Sequence, residues 1–449
     1  MFKRKIINKL EAWKRDAKHK PLILRGARQV GKTTVINEFG SQFENYLYFN
    51  LELQENVKLF EMNLPLDELV ALLFASKGIR QNEGSTLIFI DEIQNSPKTI
   101  ALLRYFYEQR PDLYIVAAGS LLENLVDVKV SFPVGRVQYL ALRPCSFFEF
   151  LGAIGKDNLL AVLSQDAKYS VAFHEQLMHL FNQYSIVGGM PEAVQKYSEH
   201  CDVLAVDDIY ETLVQAYKDD SEKYVKGSKM TDVVRFILQY GWAFAGETVT
   251  LGNFANSGYR SREVGKAFRL LEKAMLLELV YPVSSAHMPI IPETKRMPKL
   301  IWFDTGLVNY QAGMRDELIG STDMVDSWKG HIAEQVTAQE LLTLDDRVGQ
   351  RRSFWAKPNN GAEVDFVFVH NSRLYPIEVK SGINAHLRSL QVFMDNSNVN
   401  IAIRVWSKPY SVDIVKTPSG KTFSLVNLPF YLIGNLPHII DNVSSHILE

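Results

Sequence analysis

The run Leu22-Ile23-Leu24-Arg25-Gly26-Ala27-Arg28-Gln29-Val30-Gly31-Lys32-Thr33-Thr34 constrains this chain more than any other stretch. An apolar strand enters Gly-x-x-x-x-Gly-Lys-Thr, and an amphipathic segment follows. Glycine at positions 26 and 31 lets the backbone turn tightly, so that its N–H groups face phosphate oxygens. A helix beginning near Lys32 adds the positive end of its dipole at the same point. Residues Gly26 to Thr34 therefore read as a phosphate-binding loop. Lys32 reaches the outer phosphates and the Thr33 hydroxyl ligates Mg²⁺. A plain Gly-rich turn would leave the lysine and threonine at those positions unexplained. The expected ligand is a nucleoside triphosphate.

With 449 residues the chain is too long for one core, and two to four domains are expected. Its 49 basic and 51 acidic residues give a net charge of −2, so bulk charge neither requires nor excludes a nucleic-acid partner. The two cysteines, Cys145 and Cys201, offer no disulfide framework and no metal-ligand spacing, which fits a reducing cytoplasm. The basic start Met1-Phe2-Lys3-Arg4-Lys5 lacks the apolar core of a signal peptide. No run of 18 uncharged apolar residues occurs, so no membrane contact is expected.

Residues 1–20 read as an amphipathic helix. Further apolar runs are Tyr46–Leu51, Leu87–Ile90 and Leu113–Gly119, separated by helical segments. That pattern is α/β, a parallel sheet covered on both faces, with ligands at the carboxyl ends of its strands. The third run ends in Asp91-Glu92, the form of a Walker B element. There Asp91 holds Mg²⁺ and Glu92 orients the attacking water. Ser120 closes the fourth run, where it is either a sensor of the γ-phosphate or a helix cap. Arg136 follows Gly135 on a loop, as a charge-stabilising finger or as an ordinary ion-paired arginine.

These motifs, with Leu142-Arg143-Pro144-Cys145-Ser146-Phe147-Phe148-Glu149-Phe150, resemble the prokaryotic AAA+-superfamily ATPases of the archaeal-type branch. The resemblance covers essentially the whole chain. It implies ATP and Mg²⁺ as ligands, ATP hydrolysis, and a C-terminal domain of unknown function. It makes Arg136 a candidate arginine finger. Gly188-Gly189-Met190-Pro191-Glu192 matches the family's Gly-Gly-x-Pro-Glu turn in a helical lid. Related ATPases carry a basic sensor just after such a turn, and Glu192 stands there instead.

The expected divisions are an ATPase core over 1–140, a helical lid over 141–204, a winged-helix-like domain over 205–310 and a smaller α/β domain over 311–449. The third rests on a sequence of helix, short helix, turn, longer helix and strand between 228 and 285. Arg262, Lys266, Arg269 and Lys273 fall along the longer helix, placed either for DNA phosphates or on a solvated face. Asp304, ending the run from Lys299 to Phe303, is expected to form a turn or cap a helix.

In the fourth division Asp365 begins one strand, and Glu378-x-Lys380 lies on the next. Alternation puts Glu378 and Lys380 on one face. If the strands pair around Asn371-Ser372, Asp365 and Glu378 converge. Two carboxylates and a lysine so placed suit Mg²⁺-dependent phosphodiester chemistry, with Glu334 on the preceding helix as a third ligand. The set resembles the PD-(D/E)XK nuclease superfamily, as in archaeal Holliday-junction resolvases and restriction enzymes, and Gln391 falls where several of its branches carry a glutamine. Two functions are then open. One is an ATPase that drives DNA binding or processing by a nuclease-like domain. The other is a nucleotide-dependent switch, with an inactive nuclease-like fold, that binds a protein partner or a second copy.

Overall fold

In the computed structural model the four apolar runs of the N-terminal third become strands, and Gln138–Ala141, which the sequence did not single out, adds a fifth. The structure describes residues 2–81, 84–119, 133–224, 228–315, 318, 330–358, 361–380 and 387–447. Strands β1 (Leu22–Arg25), β2 (Asn45–Asn50), β3 (Thr86–Asp91), β4 (Leu113–Gly119) and β5 (Gln138–Ala141) stand in the order β2-β3-β4-β1-β5. Every pairing is parallel.

Side-chain alternation sorts the apolar residues to two faces. Leu22, Leu24, Leu87 and Phe89 face α1 (Ile6–Arg15) and α2 (Lys32–Gly40), within one buried cluster. Ile23, Ile88 and Ile90 face α3 (Gln54–Glu61), α4 (Leu66–Ser76) and α5 (Pro97–Gln109), within another. Both faces are thus covered, as continuous apolar strands require. Helix α1 is shorter than the twenty residues expected, because Asp16 is extended (φ −74°, ψ 112°) and ends it.

A helical segment follows: α6 (Phe147–Ala153), α7 (Asp157–Leu163), α8 (His174–Val187) and α9 (Pro191–His200). Ser146 and Glu149 form a capping box that starts α6. Phe147, Phe150, Phe181 and Tyr184 pack against one another, with ring centroids 5.1–6.4 Å apart. Next come α10 (Asp207–Tyr224), α11 (Ser228–Tyr240) and α12 (Ser261–Lys273). Val264, Ala267, Phe268 and Leu271 of α12 are buried, while Arg262, Lys266 and Arg269 are exposed on its other side.

Strands β6 (Leu277–Val283) and β7 (Lys299–Trp302) pair antiparallel and lead to α13 (Thr305–Gln311). The rest comprises α14 (Gly330–Thr343), β8 (Ser353–Ala356), β9 (Glu363–His370), β10 (Arg373–Val379), α15 (Arg388–Asp395), β11 (Ile401–Trp406), β12 (Ser411–Lys416), β13 (Thr422–Pro429) and α16 (Leu436–Ile447). One sheet takes in eight strands, ordered β12-β13-β11-β10-β9-β8-β6-β7. It crosses the division expected at 310, because β6 pairs in parallel with β8 through Tyr281, Pro282 and Val283. The indole rings of Trp242 and Trp302 stack at 3.7 Å and tie the turn after α11 to β7. No described helix is long and apolar enough to cross a membrane.

Candidate nucleotide site and C-terminal acid cluster

The loop between β1 and α2 takes the shape that its glycines allow. Gly31 sits at φ +90° and hands the chain to α2, and Gln29 adopts φ +63°. A Cβ on Gly26 would stand 2.5 Å from the Leu142 carbonyl oxygen, so the loop packs closely against the chain after β5. Lys32 is buried, and its Nζ donates to the carbonyls of Gly26 (3.0 Å) and Ala27 (2.9 Å). Burial pushes the Lys32 ammonium below the usual lysine range, and the charges of Glu92 and Asp91 oppose that shift. The Thr33 hydroxyl donates to Asp91 Oδ2 at 2.6 Å. A threonine hydroxyl and a carboxylate oxygen in contact are a fitting pair of hard oxygen donors for Mg²⁺.

Glu92 follows at φ +53°, and Gln94 donates to its carboxylate. Burial pushes the Glu92 carboxyl up, against the Gln94 hydrogen bond and the Lys32 charge. Glu92 lines a cavity of about 650 Å³ together with Arg28, Gln29, Gly31, Lys32, Thr33 and Thr34. Phe2, Arg4, Pro191, Glu192 and Gln195 close its other side. Val30 leaves the cavity wall for the core, and Arg28 pairs with Asp220 of α10. Arg4 joins the loop to α6, since it donates to Val30 O and to Glu149 Oε1.

Two other expected site residues stand apart. Ser120 lies outside the described residues. Arg136 does not line the cavity; its Nε donates to Glu108 of α5 at 3.1 Å, the ion-paired alternative.

The turn after α8 connects this cavity to the larger sheet. Pro191 lies beside Gly31, 3.6 Å from where its Cβ would be. Gly189 N donates to Asp304 Oδ2 at 2.6 Å, and Asp304 Oδ1 caps α13 by accepting from Leu307 N. Asp304 is thus the expected helix cap and a bridge as well. Burial pushes its carboxyl up to about 6, against the backbone N–H groups that favour its charge. Thr305 N and Oγ1 both donate to Gln339 Oε1, at 2.6 and 2.7 Å.

Gln339 belongs to α14, a helix buried on nearly every side. Its neighbour Glu340 accepts from Phe147 N (3.0 Å) and the Tyr184 hydroxyl (2.7 Å). Gln335 bonds both ways with the Trp302 backbone. Nothing in the sequence flagged these polar residues, which lie on more than one face of a helix that carries other polar residues too.

Burial pushes the Glu340 carboxyl up to about 7. Its folded state therefore favours the proton, and the stability it contributes is present below the unfolded value near 4.5 and lost as pH rises through about 7. Glu340→Gln keeps an acceptor oxygen and removes the titration. Denaturant unfolding of the wild type is expected to lose stability between pH 5 and 8, on the order of 3 kcal/mol from this group. The variant should lack that portion and keep the slope that comes from Asp304 and from the other raised carboxyls, Glu334 and Glu378. An unchanged slope in Glu340→Gln would show that the loss comes from elsewhere.

At its other end α14 carries Glu334. The hairpin of β9 and β10 turns at Asn371 and Ser372, both at positive φ, and its register places Asp365 opposite Glu378. Val379 N donates to Asp365 Oδ2 at 2.8 Å, and Lys380 Nζ donates to Glu378 Oε1 at 2.5 Å. Glu334, Asp365, Glu378 and Lys380 therefore share one site. Gln391 is directed to the Lys416 carbonyl.

A residue that sequence reasoning missed also enters the site. Lys299 of β7 sends its Nζ among Glu334, Glu363 and Asp365. Burial opposes its charge, and the carboxylates more than reverse that, holding it above the ordinary lysine value. Burial and the Asp365 charge push the Glu334 and Glu378 carboxyls up. Among the described residues no three acidic, histidine or cysteine side chains are grouped to hold a metal ion. As folded, the acids do not fit the expected Mg²⁺ there. The physical reason is the lysine head group that already fills their focus, and a charged residue opening a strand gave no sequence signal of that role.

Residues 18–151 match an AAA domain family. Residues 178–318 and 329–428 match two domains of unknown function, DUF8612 and DUF4143. No curated protein matches the chain. Among solved structures it is similar to the Walker-type ATPase PABY2304 of Pyrococcus abyssi, with 15% identity over 69% of this chain and 96% of that one, at a TM-score of 0.40. It is also similar to the Aeropyrum pernix ORC1 protein in complex with DNA, with 14% identity over 70% of this chain and 92% of that one, at 0.29. For PCH-2 of C. elegans the values are 13%, 46%, 68% and 0.30. The part of the chain that matches the AAA domain family is thus the five-stranded parallel sheet with its glycine-rich loop.

Proposed function

We propose that this chain is a Mg²⁺-dependent ATPase that passes its nucleotide state to a DNA-binding, nuclease-like C-terminal half. One observation carries the reading. Pro191 neighbours Gly31 in the cavity wall, and from the same turn hydrogen bonds run through Gly189, Asp304, Thr305 and Gln339 to α14, the helix that also carries Glu334. A shift of the lid turn on the nucleotide is therefore felt at the acid cluster.

At the nucleotide site Lys32 exchanges its two carbonyl acceptors for phosphate oxygens. Thr33 and Asp91 would hold Mg²⁺, whose charge polarises those oxygens. Glu92, with its carboxyl raised by burial, orients the attacking water and takes its proton. Phe2, Glu192 and Gln195 close the cavity where a base would sit.

Helix α12 and the β6–β7 hairpin support the winged-helix reading, and the hairpin carboxylates with Glu334 support the nuclease-like one. Arg262, Lys266 and Arg269 form an exposed basic stripe that suits phosphate contacts. Replacing all three with glutamate is expected to weaken duplex DNA binding roughly tenfold or more at moderate salt, read by fluorescence anisotropy. Undiminished DNA affinity in the folded triple variant would exclude this face.

A further inference from the structure

The acid cluster of the larger sheet already contains a cation, and the cation belongs to the chain. Lys299 Nζ lies 2.8 Å from Glu334 Oε2, 3.1 Å from Glu363 Oε1 and 3.3 Å from Asp365 Oδ1. The ammonium donates hydrogen bonds to Glu334 and Asp365 and forms an ion pair with Glu363. The rings of Phe354 and Phe366 stand 5.0 and 5.9 Å from the nitrogen, and the side chain is 4% exposed. A second observation concerns Glu378, opposite Asp365 and 6% exposed. Lys380 takes one of its oxygens, while Oε2 is buried with no hydrogen-bond partner among the described residues.

We infer that Lys299 is the resident cation of this cluster and excludes divalent metal from it, so that the nuclease-like half, as folded, does no metal-dependent hydrolysis. A divalent ion needs carboxylate oxygens drawn in to about 2.0–2.6 Å of one point. The ammonium holds that point at hydrogen-bond distances, and the two cations cannot share it. Nor can the lysine backbone easily yield. Lys299 pairs with Val280 and bridges Thr248, and the residue on either side bonds to the chain at 247–249. Removing the ammonium leaves four carboxylates with Lys380, on Glu378, as the remaining paired cation among the described residues, which is a charge balance that recruits a metal. This inference goes beyond the proposed function and stands whether or not the N-terminal site turns over ATP.

The test is Mn²⁺ titration of nucleotide-free protein, with free Mn²⁺ read by electron paramagnetic resonance. A site at the cluster is defined as one that Asp365→Asn removes. Wild type and Lys299→Arg are expected to show no such site. Lys299→Met should gain one, at least tenfold tighter than anything in wild type, and the Lys299→Met/Asp365→Asn double variant should lose it. An Asp365-dependent site in wild type would overturn the inference, as would a folded Lys299→Met protein that gains none. If Lys299→Met does not fold, wild type against Asp365→Asn decides: equal binding supports the resident lysine, and a site lost with Asp365 overturns it.

Discussion

Lys32→Ala is expected to lower the rate of ATP hydrolysis by roughly 100-fold or more, the scale of losing one preorganised charge at a reacting phosphate. Lys32 is buried, yet among the described residues only backbone carbonyls of its own loop receive its ammonium. Burial already disfavours its charge, so a phosphate improves on the partners it has. The variant should fold, because the loop is also held by Arg4 on Val30 O and by the tight packing at Gly26. Nucleotide affinity should fall together with turnover. A phosphate-release assay on folded protein checks this, and an undiminished rate would remove the phosphate-loop assignment.

Glu92→Gln is expected to separate binding from turnover. Glutamine keeps the size of the side chain and an oxygen for Gln94, so ATP should bind within about threefold of wild type. The proton acceptor is lost, and turnover should fall roughly 100-fold. Titration with a fluorescent nucleotide, beside steady-state hydrolysis, gives both numbers. If affinity and turnover fall by the same factor, Glu92 positions the loop rather than the water.

The fifth strand of the parallel sheet, Gln138–Ala141, was not legible, because its first half is exposed, whereas the other four were, because each is a largely apolar run that ends at a recognisable turn. The Asp91-Glu92 step was legible for the same reason, since the acids stop the run at the carboxyl end of β3. Strand alternation sufficed to bring Glu378 to Lys380, and two turn-forming residues sufficed to bring Asp365 opposite Glu378. What escaped is what depends on contacts distant in sequence. Lys299 meets Glu334 and Asp365 only because β7 and β9 belong to one sheet, and nothing in the local pattern announces that. One sheet runs across the division expected at 310 for the same reason, since Tyr281–Val283, the strand that ends the winged-helix pattern, pairs with Ser353–Trp355. Glu340 and Gln339 were invisible as polar residues inside a helix whose every face is covered. Arg136 was placed by its neighbours in the chain, and its partner Glu108 is fixed only by the fold.

The proposed coupling runs from the nucleotide through the lid turn and α14 to the C-terminal half, and it predicts that affinity for DNA changes with nucleotide state. Its most direct measurement is the affinity for a labelled branched duplex in two states, Glu92→Gln protein with saturating ATP and Mg²⁺ against the same protein with ADP. The dissociation constants are expected to differ roughly fivefold or more, the lower end of ordinary coupling. Equal constants in the two states, with DNA bound in both, would contradict it.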